Sequence, residues 1–89
     1  MNATEFEARL RADGFTEVLT AARQPNEAQS DHAHDYEVRA LVLEGDITLT
    51  CGGETRTYRA GDTFSMEAGR SHVERVGEGG VRYIAGRKR

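Results

Sequence analysis

Glycine-bearing turns recur along the second half of the chain at intervals that leave room for short strands and little else. Glu44-Gly45-Asp46, Gly52-Gly53, Ala60-Gly61-Asp62, Glu67-Ala68-Gly69-Arg70 and Gly77-Glu78-Gly79-Gly80 each interrupt a run of apolar or alternating residues. Glycine enters positive φ without a Cβ clash, so each group marks a predicted reversal. Between them, residues 36–43 are mostly apolar. Ile47, Leu49 and Cys51 alternate with Thr48 and Thr50, the pattern of a half-buried strand. Gly52-Gly53 reads as a two-residue hairpin turn, with residues 55–59 returning. Residues 63–66 place Phe64 and Met66 on one face, and residues 71–76 and 81–85 complete the series. Upstream, residues 15–22 read as a strand ended by Gln24-Pro25-Asn26, because proline donates no ladder hydrogen bond. Six or seven short strands of this kind predict an all-β sandwich or small β-barrel over residues 15–86.

The remaining N-terminal segment reads as one short helix over residues 4–13. Thr4 as N-cap with Glu7 three residues on suggests a capping box, and Phe6 and Leu10 share a face. Gly14 suits the left-handed residue after a helix. The apolar face is expected to seal one edge of the barrel.

Eighty-nine residues make a single domain, 1–89, with a thin core. The net charge of −3 offers no basic field for nucleic acid, and Arg87-Lys88-Arg89 reads as a solvated tail. No stretch approaches the ~20 apolar residues of a membrane span, and the start MNATEFEARL lacks the apolar run of a secretory signal. One cysteine, Cys51, cannot form an internal disulfide, which makes the cytoplasm the expected location. Only 37% of residues are hydrophobic and the mean hydropathy is −0.67, so association as a homodimer is expected to help bury apolar surface.

The chain has three histidines. His32 and His34 are two apart in an extended segment, so both rings point to one side. That spacing lets two imidazoles share an ion at about 2.0–2.1 Å each. His72 begins a later strand. This pattern resembles the paired motifs of the cupin superfamily. His32, His34 and Gly45 occupy the slots of the first motif, and Gly61, Gly69 and His72 those of the second. The resemblance covers about half the chain and implies a small conserved-barrel cupin: a double-stranded β-helix, or jelly roll, with the three histidines converging inside as metal ligands. Asn26, Glu67 and Val76 depart from the motifs' glycine, proline and asparagine. Val38 stands in the slot of the motif's glutamate ligand, and Glu37 is one residue away.

Two carboxylates are candidates for the missing ligand. Glu37 reaches the site only if a bulge near Asp35 or Tyr36 reverses the strand register. Glu74 lies two residues after His72, on the same face by alternation. It can serve as fourth ligand, as a partner orienting a histidine or as an acid–base group; a solvated position at the barrel mouth is the alternative. Val38, Ala40, Val42, Phe64, Met66 and Tyr83 are expected to line the pocket, with Tyr36 and Tyr58 as further wall residues. Arg39 is expected to pair with Glu37, and Cys51 to pack rather than react.

These readings point to a barrel holding one divalent transition ion (Zn, Ni, Fe, Mn or Cu) and a small molecule. The resemblance implies metal-dependent enzymes such as dioxygenases and isomerases. The alternative is a non-catalytic binding or sensing barrel with an empty or vestigial metal site. Fold alone does not choose between them.

Overall fold

The structure, a computed structural model, describes residues 1–89. It contains one helix, α1 (Ala3–Ala12), followed by β1 (Glu17–Arg23), β2 (Ala28–His32), β3 (Glu37–Cys51), β4 (Glu54–Arg59), β5 (Thr63–Met66) and β6 (His72–Lys88). The helix begins earlier than the Thr4/Glu7 reading. Asn2 is the N-cap: its side chain accepts from the Glu5 backbone at 2.8 Å, and the Glu5 carboxylate accepts from the Asn2 backbone at 3.2 Å. Asparagine caps at least as well as threonine. Glu7 is thereby free to pair with Arg11 one turn on, at 2.9 Å. No helix is long and apolar enough to cross a membrane.

Two expected turns are not turns. β3 runs straight through Glu44-Gly45-Asp46, and β6 runs through Gly77–Gly80. The long strands pair with each other antiparallel along most of their length, with register shifts between Val42 and Glu44 and between Gly45 and Ile47. The glycines serve close approach rather than reversal. A Cβ on Gly45 would stand 1.9 Å from the Gly80 carbonyl oxygen, and one on Gly77 would stand 2.0 Å from Asp46 Oδ1. Such bulged, glycine-lined crossings let a long strand bend and contribute to two walls. By contrast, Gly52-Gly53 is the expected two-residue hairpin turn between Cys51 and Glu54, both glycines at positive φ.

All six strands form one antiparallel sheet, ordered β1-β6-β3-β4, with β2 added to β6 and β5 to β3. The sheet folds over on itself as a jelly-roll barrel whose hydrogen bonding does not close into a ring. Alternation along β3 and β6 divides the apolar residues between two faces. Outside, α1 packs Phe6 and Leu10 against Phe15, Leu41 and Ile84. Arg39 lies over the Phe15 ring, 4.6 Å from its centroid, and pairs with Asp13 rather than with Glu37. Inside, Val42, Ile47, Leu49, Met66, Val76 and Val81 form the barrel core, flanked by Val38, Tyr58, Phe64 and Tyr83.

Candidate metal centre

The histidines come together where β2 meets the start of β6. His32 is in register with His72, and Gln29 with Glu74, with a bulge between Gln29 and His32. Glu74 follows His72 by two residues and therefore shares its face. His34 lies past the end of β2, where its carbonyl accepts from the Gly69 backbone at 2.7 Å. The His32 ring centroid is 4.3 Å from that of His72 and 4.9 Å from that of His34. One ligand atom from each of His32, His34, His72 and Glu74 can be chosen so that all lie within 4.8 Å of one another.

The donor chemistry of this cluster fits a cation. His32 Nδ1 lies 2.8 Å from the Ser30 carbonyl, and His72 Nδ1 lies 3.1 Å from the Arg70 carbonyl. A carbonyl only accepts, so Nδ1 carries the proton in both rings and a neutral ring turns its Nε2 lone pair inward. Both Nε2 atoms stand 3.0 Å from the same oxygen, Glu74 Oε2. His72 is aligned to hydrogen-bond to it, which requires a second ring proton. His32 Nε2 is not: it is buried without a hydrogen-bond partner. Lone pairs converging on a carboxylate repel unless a proton or a metal ion stands among them, and an ion satisfies them all.

Behind the cluster, Arg23 donates to Glu74 Oε1 and, through Nε, to Glu27 at 2.8 Å. Burial opposes ionisation of Glu74, yet the hydrogen bond and charge of Arg23 outweigh it and hold the carboxyl below its usual range. Burial likewise opposes the Arg23 charge, and the bonds to Glu27 and Glu74 more than reverse this, raising its pKa. Desolvation, aided by the neighbouring His32 and His72, pushes His34 below the ordinary imidazole value.

A cavity of about 270 Å³ adjoins the cluster. His34, His72 and Glu74 line it together with Val38, Phe64, Met66 and Tyr83. Ala40 and Val42, expected in that wall, do not line it. Val42 is packed into the barrel core, and Ala40 is fully buried between its pairing partners Phe64 and Ala85. Glu37 does not join the cluster. The register shifts of β3 fall at Val42/Glu44 and beyond, not near Tyr36, so Val38 faces the cavity and Glu37 is turned to the other side.

Sequence reasoning missed Arg23, Gln29 and Leu19, all of which line the cavity. The signal for the first was present: Leu19, Ala21 and Arg23 alternate on β1 as its less exposed row. Arg87 was also misplaced. It belongs to β6, lines the cavity, and stands over the Tyr36 ring at 4.8 Å rather than in a solvated tail.

A jelly-roll sheet folded around a pocket that adjoins a cluster of three histidines and a glutamate defines a β-barrel of the cupin class. The chain belongs to the cupin domain family, whose model matches residues 20–85. It matches no curated protein. Its fold is similar to that of a structural-genomics protein of unknown function from Rhizobium leguminosarum, with a TM-score of 0.75 and 21% identity over 80% of this chain and 67% of the other. KdgF from Halomonas sp. is similar at a TM-score of 0.70 and 18% identity, over 80% and 66% of the two chains. A variant of Bacillus subtilis oxalate decarboxylase is similar at a TM-score of 0.71 and 17% identity, over 80% of this chain and 20% of that one.

Proposed function

We propose that the protein is a metal-binding cupin barrel that holds one divalent transition ion on His32, His34, His72 and Glu74, with a small molecule in the adjoining cavity. The observation that carries this reading is the buried Nε2 of His32, without a hydrogen-bond partner and 3.0 Å from Glu74 Oε2. In this assignment the glutamate ligand comes from β6, two residues after His72, instead of from the motif position held by Val38. The three imidazoles suit Zn, Ni, Fe or Cu, and the added carboxylate also admits Mn. When bound, the ion supplies Lewis acidity toward an oxygen of the small molecule. That supports a metal-dependent enzyme, of which dioxygenases and isomerases are the family examples. The chain's own groups would fix the site: Arg23 holds the Glu74 carboxylate, and the carbonyls of Ser30 and Arg70 hold two rings.

A second reading is supported by the pairing of Glu74 with both Arg23 and His72. Those partners satisfy the carboxylate without an ion, as a non-catalytic binding barrel would need. Metal analysis of protein purified without chelators, beside His72→Ala, separates the two. Near one equivalent of a transition metal in the parent, lost from the variant, supports the first. No retained metal after dialysis against Zn, Ni, Mn and anaerobic Fe(II) removes it in favour of the second. The lean core further supports a homodimer. A sedimentation mass equal to one chain, 9.8 kDa, would refute that assembly.

A further inference from the structure

Building on the metal reading above, we propose that the cavity beside the cluster takes a small organic acid and that Arg87 is the residue that recognises its carboxylate. Tyr83, Ala85 and Arg87 alternate along β6, and all three line the cavity. Arg87 thus continues the inward row of the strand. It is in register with Val38 on one side and Glu17 on the other. Its guanidinium lies over the Tyr36 ring, and Tyr36 in turn stacks on His34 at 4.9 Å and 13°. The three side chains form a continuous stack from the cavity rim to the histidine cluster, which fixes the guanidinium plane relative to the site.

The charges favour an anion. Within the cavity lining, Arg23 and Glu74 neutralise each other, leaving Arg87 as the remaining charged side chain. A bound divalent ion adds to the positive excess. Glu17 takes one hydrogen bond from Arg87, at 3.2 Å, but it is exposed and outside the lining. A guanidinium has five N–H donors, so a carboxylate can still be gripped by a two-pronged hydrogen bond. The rest of the wall is mostly apolar, including Leu19, Val38 and Phe64. The volume of about 270 Å³ lies at the low end for ligand pockets. A short-chain acid carrying a second oxygen for the metal end matches its size, charge and walls.

The test is calorimetric titration of Zn(II)-loaded protein with pyruvate, lactate, 2-oxobutyrate and 2-hydroxybutyrate, beside the methyl esters of the same acids. Metal content is measured first on each sample. At least one acid is expected to bind and its ester not to. Arg87→Gln should weaken the acid about tenfold or more, and Arg87→Lys should fall between, keeping the charge but losing the planar fork. Glu17→Gln removes the outer pair without touching the cavity and should leave acid affinity unchanged. Unchanged acid binding in Arg87→Gln, equal binding of the ester, or no binding by any of the four acids overturns the proposal. If the protein retains no metal, the metal reading fails by itself. The same titrations on the metal-free protein then decide whether Arg87 recognises acids.

Discussion

The two faces of the β3–β6 sheet are built from alternate residues of the same strands, yet they do different work. On the outer face, Leu41 and Ile84 meet Phe6, Leu10 and Phe15 in a closed, dry cluster. On the inner face, Val42, Val76 and Val81 begin a core that ends in a cavity, three histidines and the half-buried pair Arg23–Glu74. Under the helix the packing is entirely apolar, with Phe6, Leu10, Phe15, Leu41 and Ile84 buried together. The inner face gives up part of its apolar contact to hold ionisable groups, which cost stability when buried and gain function when arranged.

Five measurements can break or sharpen that contrast. Phe15→Ala empties the dry cluster, where Phe15 is 1% exposed. It should cost about 3–5 kcal/mol in denaturant unfolding, a large share of the total stability of a domain this size. Metal affinity of the molecules that remain folded should not change; a parallel loss would show the faces to be coupled. Gly86→Ala overfills the same cluster from the strand side. Its Cβ would sit 2.9 Å from both Leu10 Cδ2 and Phe15 Cβ, at an expected cost of about 1–3 kcal/mol.

On the inner face, Arg23→Met should leave Glu74 buried without its cation. Metal affinity, read by chelator competition, should fall about 10–100-fold, with Arg23→Lys recovering part of the loss. An unchanged affinity would mean that Glu74 does not depend on Arg23 for its placement. The fourth prediction concerns pH in the metal-free protein. The Glu74 pKa is depressed in the folded state, so its contribution to stability is present above the unfolded carboxylate value of about 4.3. That contribution should be lost as pH falls from there through the folded value. Unfolding midpoints measured downward from pH 6 should show this decline, and Glu74→Gln should flatten it. The smallest effect is expected of Glu37→Gln, within about 0.5 kcal/mol in stability and with metal content unchanged. A loss of metal there would return Glu37 to the ligand set.

The sequence alone was enough for the family of the fold and for the convergence of residue types. Gly52-Gly53 specifies its hairpin locally, because a two-residue turn needs two positive φ values. His32 and His34 share a side by simple alternation. Their meeting with His72 rested on the resemblance, and the cross-strand register realises it. Local signals misled where one residue type has two uses. Gly45, Gly77 and Gly80 look like turn glycines, but Gly45 and Gly80 are needed where two backbones nearly touch and Gly77 where the Asp46 side chain comes close, contacts between residues far apart in the chain. Glu74 shared the face of His72 by alternation, whereas Glu37 needed a bulge near Asp35 or Tyr36 to reach the site. Which of them faces the histidines depends on where β3 bulges and on how β2 registers against β6. Those features are decided by packing across the sheet, since a single-residue slip exchanges the two faces of a strand. Arg87 belongs to the same class: in the sequence it stands in a basic run, and only its pairing in β6 against β1 and β3 turns it toward the cavity.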